Sequence, residues 1–280
     1  MVHKTISILL YMARGRHVAR ETQRSSPSLG DTQSPIAQSP HSAYKPKSIL
    51  SCFATRRHVA MKTIAFICQK GGTGKTTLAI SLATAAIADG LTVAIIDLDP
   101  QVSACEWGDI RQAEAPIVID AQPARIDAVV GRARDMGVDL LLIDTAGRTE
   151  QAALAGARVA DLVLVPLQPS VIDLKTIRAT TDLIELAGSK SRAAVLTRVK
   201  PFGNRHEETA QWLEQQGMPV CPATVGDRIT FQDAYAQGRG ASEIEPRGKA
   251  AAEIRKVYEY VSIQLGMSAS SDEREVAAHV

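Results

Sequence analysis

The sequence predicts an α/β fold, a mostly parallel central sheet with helices on both faces. Short β-prone runs of Val, Ile, Leu and Ala alternate with helix-like segments along most of the chain, as in βαβ units. The runs are apolar at nearly every position, without polar alternation, as strands buried on both faces require. Aromatic residues make up only 4% of the 280 residues, so small aliphatic side chains must fill a sizeable core.

The first sixty residues do not share this pattern. Residues 24–50 are rich in Ser, Pro and Gln and poor in large apolar groups, and such a stretch cannot offset its ordering entropy. A disordered basic extension is therefore expected over 1–60. Two further accounts stay open. Met61 stands directly before the first predicted strand and could be the functional start; an Arg- and Ser-rich, acid-poor leader also suits an organellar transit peptide. Of 32 basic and 30 acidic side chains, nine and two lie in 1–60, leaving 23 and 28 beyond, a balance of −5. Nucleic-acid binding by the body would need a local patch. Cys52, Cys68, Cys105 and Cys221 are scattered without a C-x-x-C pair, which argues against a metal or iron–sulfur site and fits a reducing cytosol. No apolar run approaches the roughly 20 residues that span a membrane.

The body opens on Thr63-Ile64-Ala65-Phe66-Ile67, a predicted strand, followed by Cys68-Gln69-Lys70-Gly71-Gly72-Thr73-Gly74-Lys75-Thr76-Thr77 and a helical segment over Leu78–Ala88. Strand, glycine loop and helix in this order form the phosphate cradle of a P-loop NTPase. Glycines let backbone N–H groups wrap a phosphate, and the helix start adds the positive end of its dipole. Lys75 supplies a charge at the β/γ-phosphates, and the Thr76 hydroxyl is placed to ligate Mg²⁺. ATP-binding candidates here are Lys70, Gly71, Gly72, Thr73, Gly74, Lys75, Thr76 and Thr77.

After Asp89-Gly90, a glycine helix stop, the run Leu91–Ile96 leads into Asp97-Leu98-Asp99-Pro100-Gln101. The spacing of two puts Asp97 and Asp99 on one side of an extended chain, at the strand end where open α/β sheets bind ligands. Ile117–Ile119 predicts a strand and Ile126–Met136 a helix. Val138–Ile143 then runs into Asp144-Thr145-Ala146-Gly147, an apolar strand ending in an acid, the Walker B pattern in which Asp144 holds Mg²⁺ through water. Gly147 can bring its N–H near a γ-phosphate. Further strands are predicted at Asp161–Pro166, Ala193–Arg198 and Met218–Ala223, and helices to about Ala187 and around Ala250–Leu265.

The form K-G-G-x-G-K-T-T, with a second lysine at Lys70, resembles the deviant P-loop of the ParA/MinD family of ATPases. D-x-D-P-Q at Asp97–Gln101 and V-P-L-Q-P-S at Val165–Ser170 add to the resemblance, particularly to small ParA-type partition ATPases without a helix-turn-helix leader. It covers residues 61–266 and leaves 267–280 as a flexible polar tail. The resemblance implies that Lys70 reaches across a dimer interface to the other subunit's nucleotide. Catalytic residues would be Lys70, Lys75 and Asp99, the last positioning the attacking water; Thr76, Asp97 and Asp144 would form the metal site. Thr197 and Arg198 would contact the adenine, with Pro222 near base and ribose. Many relatives read D-T-P where this chain has Asp144-Thr145-Ala146, a less rigid loop.

What the resemblance implies is an ATP- and Mg²⁺-dependent switch. The ATP-bound homodimer would bind double-stranded DNA non-specifically, and a ParB-like adaptor or other cargo protein would trigger hydrolysis and release. The expected location is cytoplasmic, on the nucleoid in the ATP state. DNA-binding candidates are Arg228, Arg239, Arg247, Lys249, Arg255 and Lys256, then Lys200 and Arg205. MinD-like membrane positioning would need a basic amphipathic C-terminal helix, whereas Ser268–Glu275 is polar and acidic. The cysteine pattern of nitrogenase iron protein and the N-K-x-D motif of GTPases are both absent. A ligase- or kinase-like metabolic enzyme on the same fold stays as the alternative.

Overall fold

A computed structural model of the chain describes residues 60–267 apart from Arg148 and Lys190, with backbone alone over 171–176. The extension expected over 1–60 and the tail over 267–280 lie outside the described residues, save Ala60 and Met267. In chain order the elements are β1 (Lys62–Phe66), α1 (Lys75–Ala88), β2 (Val93–Asp97), α2 (Ser103–Ile110), β3 (Ile117–Asp120), a 3-10 turn (Pro123–Arg125), α3 (Ile126–Asp135) and β4 (Leu140–Asp144). Then come α4 (Glu150–Val159), β5 (Leu162–Leu167), α5 (Val171–Leu186), β6 (Arg192–Leu196), α6 (Arg205–Gln215), α7 (Ile229–Ala236), α8 (Ala241–Ile244) and α9 (Lys249–Gln264).

The six strands form one sheet in the order β3-β2-β4-β1-β5-β6, and every pairing is parallel. The period of two divides each strand between two cores. Ile64, Phe66, Ile95, Leu142, Leu164 and Val195 face one way, against α1, α2 and α9. Ala65, Ile67, Ile96, Ile143, Val165 and Leu196 face the other, against α3, α4, α5 and α6. All twelve are at most 1% exposed, so the missing polar alternation in the sequence has its cause in a sheet covered on both sides.

β1 lies between β4 and β5, in register from Lys62↔Leu140 to Phe66↔Asp144. From β1 the chain crosses to β2 on one side, and from β4 it crosses to β5 on the other. The switch point therefore lies beside β1, where the crevice beyond the strand ends takes ligands. α1 is Ala-rich and buried around most of its circumference, as suits a helix laid over the middle of a sheet. It stops at Gly90 (φ 84), whose N–H bonds the Ile87 carbonyl while Leu91 N–H bonds that of Ala86, the predicted glycine stop.

One predicted strand does not form. Met218–Ala223 makes a single parallel bridge, Val220 with Ala194. Pro219 has no N–H to donate to β6, and contact with the β6 edge continues through Cys221 N–H to Ala194 O (2.8 Å) and, past the segment, Val225 N–H to Leu196 O (2.8 Å). The helices α4, α6, α7 and α8 are additions to those expected from the sequence.

Candidate nucleotide site

Gly74 adopts a left-handed conformation (φ 89) as the residue preceding α1, and no side chain caps that helix. Its first N–H groups thus remain available to an anion. Lys75, only 7% exposed, folds back so that its Nζ donates to the Lys70 carbonyl at 3.1 Å. The buried ammonium thereby rests on the main chain of the loop itself. The loop is held from β5 and β6: the Gln168 amide donates to Gly72 O (2.8 Å) and the Thr197 hydroxyl to Thr73 O (2.7 Å). Opposite them, Gly147 approaches so closely that a Cβ there would lie 2.9 Å from Gly71 N and 3.0 Å from the Lys70 carbonyl. Only glycine permits that approach.

At the edge of the loop the Thr76 hydroxyl donates to Asp144 Oδ2 at 2.6 Å, while Asp144 Oδ1 is buried with no hydrogen-bond partner. Burial pushes the Asp144 carboxyl up to about 7; the Thr76 hydroxyl and Lys75 pull it down, and Asp97 adds to the rise. An orphaned carboxylate oxygen beside a threonine hydroxyl fits a hydrated divalent cation, since Mg²⁺ keeps most of its waters and asks little of the protein. Among the described residues no cluster of three His, Cys, Asp or Glu forms a fuller metal cage.

These groups border an open cleft of about 390 Å³, lined at one end by Gly71, Gly72, Gly74–Leu78 and Gly147 with Thr197 and Arg198 beside them, on its rim by Asp99, Gln101 and Ser103, and at the other end by Val225–Arg228, Phe231, Gln232 and Ile254. A phosphate cradle at one end and carbon-rich walls at the other suit a nucleotide. Arg198 (φ 51), which lines it, and Val102 (φ 48), between the lining residues Gln101 and Ser103, are non-glycine residues in the left-handed region; such backbone costs of order 1–3 kcal/mol and clusters at functional sites.

Of the residues singled out in the sequence, Gly71, Gly72, Gly74, Lys75, Thr76, Thr77, Asp99, Gly147, Thr197 and Arg198 line this cleft. Lys70 and Thr73 stand just behind, Thr73 with a buried unpartnered hydroxyl. Four other candidates have the following surroundings. Asp97 is 1% exposed, and its carboxylate accepts the N–H groups of Asp99 (2.9 Å), Ala104 (2.8 Å) and Cys105 (3.3 Å). It anchors the start of α2 and stands beside Asp144, its register partner across β2 and β4; Asp99 does not share its side of a strand, because β2 ends at Asp97. Burial pushes the Asp97 carboxyl upward despite these bonds. Thr197 gives its hydroxyl to the phosphate loop and so supports it. Pro222 lies in a separate surface hollow with Tyr260 and Ile263. Arg228 faces the cleft, paired with Glu253.

Arg239 is also engaged, donating to the Glu243 carbonyl, and Lys200 pairs with Asp227 at 2.5 Å. Arg205, Arg247, Lys249, Arg255 and Lys256 are exposed. Val225, Phe231, Gln232 and Ile254 were missed in the sequence; they are ordinary helix and loop residues that only the fold brings to the cleft.

A family model described as the CobQ/CobB/MinD/ParA nucleotide binding domain matches residues 64–241. The maintenance of carboxysome distribution protein A of Gloeobacter kilaueensis is 30% identical over 207 residues, 73% of this chain and 94% of that protein. The chromosome-partitioning ATPase Soj of Thermus thermophilus is 27% identical, over 72% of this chain and 95% of its own. Among solved structures, the septum site-determining protein MinD from Pyrococcus horikoshii, complexed with Mg-ADP, superposes with a TM-score of 0.60 over 75% of this chain and 99% of that one at 19% identity, a likeness of fold.

Proposed function

The chain belongs to the CobQ/CobB/MinD/ParA nucleotide-binding family, and from this we propose an ATP-driven positioning switch. It binds Mg²⁺-ATP, dimerises, holds DNA without sequence preference and releases it when a partner protein stimulates hydrolysis. The observation that carries the reading is the loop with two lysines: Lys75 buried in the cradle, its ammonium on the carbonyl of Lys70 at the cradle's outer edge. Relatives named for chromosome partitioning and carboxysome distribution support positioning as the task.

In this mechanism Lys75 and the α1 N–H groups bind the β- and γ-phosphates, while Lys70 meets the nucleotide of the second subunit. Thr76 and Asp144 hold hydrated Mg²⁺, which supplies charge neutralisation at the phosphates. Asp99, on the rim, orients water for attack. The body carries a net −5 beyond residue 60, so DNA must meet a patch: exposed Arg247, Lys249, Arg255 and Lys256. Lys249 and Lys256 are seven apart and share one side of α9.

A dimer doubles the phosphates contacted, and log affinity falls against log salt with a slope of about −0.9 per phosphate neutralised. A salt titration of duplex binding is therefore expected to show tight, salt-sensitive binding with ATP and weak binding with ADP or no nucleotide. Equal affinity in all three states, or no binding with ATP at about 50–100 mM salt, would remove the DNA-tethering step and favour the metabolic-enzyme alternative.

A further inference from the structure

The nucleoside end of the cleft is walled by three loop residues, Gly226-Asp227-Arg228, which belong to no strand or helix. The main chain ties them to Val199, through Val199 N–H to Val225 O (3.0 Å) and Asp227 N–H to Val199 O (3.1 Å), and one side chain clamps the face away from it. Glu253 Oε2 accepts the Gly226 N–H at 3.0 Å and the Arg228 Nε–H at 2.9 Å, and Oε1 accepts the other arm of the Arg228 guanidinium. The guanidinium lies flat on Gly226, where a Cβ would meet three of its atoms at 3.1 Å. The clamp comes from α9, whose next residue, Ile254, lines the cleft. Asp227 between them is tied the other way, to Lys200 (2.5 Å) and Arg198 (3.4 Å). Arg198 in turn reaches Gly72 O at 3.4 Å, across the cleft mouth.

We propose that Glu253 is a positioning residue for the nucleoside half of the ligand: it fixes the wall that closes on base and sugar and takes no part at the phosphates. The proposal rests on the reading of the cleft as a nucleotide site. Its physical basis is that a bidentate carboxylate–guanidinium pair with an added backbone N–H is rigid and directional, whereas the loop without it keeps only its main-chain bridge to Val199 and must have its remaining freedom removed at the expense of binding. The Glu253 and Arg228 side chains are 22% and 31% exposed, so water can satisfy the freed groups when the clamp is cut, and the loss is one of order.

The test separates the two ends of the cleft with two ligands, a non-hydrolysable ATP analogue and inorganic tripolyphosphate, each titrated calorimetrically with Mg²⁺ into the full chain. Glu253→Ala is expected to weaken the ATP analogue about tenfold, the scale of one charge-assisted hydrogen bond, and to leave tripolyphosphate within about twofold. In turnover, KM should rise far more than kcat falls. Glu253→Gln keeps an acceptor for Gly226 N–H and should recover part of the loss. Equal weakening of both ligands would reduce Glu253 to general structural support, and no weakening of either would make the clamp idle; each overturns the proposal. Parent protein that binds neither ligand would instead overturn the nucleotide site itself.

Discussion

Lys75→Ala is expected to lose nucleotide binding by at least about a hundredfold, the scale of two charge-assisted hydrogen bonds at about 1.5 kcal/mol each, whereas Lys70→Ala is expected to bind almost normally and to lose turnover. The difference follows from position. Lys75 is buried at the start of α1, and its ammonium needs only to leave the Lys70 carbonyl, 3.1 Å away, to meet a phosphate. Lys70 is half-buried at the first turn of the loop, outside the cleft wall, so its own subunit's phosphates depend on it little. Equilibrium titration with a fluorescent ATP analogue, beside steady-state hydrolysis, separates the two effects. Equal loss of binding in both variants would return Lys70 to an ordinary cradle residue.

The second large effect concerns Asp144. Its carboxyl is raised to about 7 from an ordinary 3.8, first by burial. A carboxyl raised on folding is harder to ionise in the native state, so stability without ligand is full below about pH 4 and falls as pH rises towards 7. Each pKa unit corresponds to about 1.4 kcal/mol, and the total cost is of order a few kcal/mol above pH 7. Asp144→Asn removes that cost and keeps an oxygen for the Thr76 hydroxyl. The ligand-free variant should therefore melt several degrees higher than the parent at pH 8 and close to it near pH 4. Mg²⁺-ATP analogue should raise the parent's melting temperature and move that of the variant much less. A variant less stable than the parent at pH 8 without ligand would show that Asp144 is held by structural bonds and is not kept strained for a cation.

The fold and the phosphate end of the site were legible because the residues that make them are contiguous. Ile64–Thr77 contains its own strand, loop and helix start, and Asp144 ends an unbroken apolar run, so position along the chain equals position in space. Asp97 shows where that reasoning stops. Two acids spaced by two look alike in sequence, yet β2 ends at the first, and the N–H groups of Asp99, Ala104 and Cys105 consume its carboxylate. Arg228 and Glu253 lie 25 positions apart, and nothing local in the sequence marks them as partners. Met218–Ala223 had the apolar content of a strand, but Pro219 withheld a donor that the ladder to β6 needs.

The central claim, that ATP joins two copies of this chain, is tested most directly by the molar mass of the protein in solution, measured by light scattering with no nucleotide, with Mg²⁺-ADP and with a Mg²⁺-bound non-hydrolysable ATP analogue. The expected result is a mass near 30.0 kDa in the first two states and a doubling in the third, with Lys70→Ala remaining at the single-chain mass throughout. A mass that stays the same in all three states, or a doubling that survives Lys70→Ala unchanged, would contradict the account.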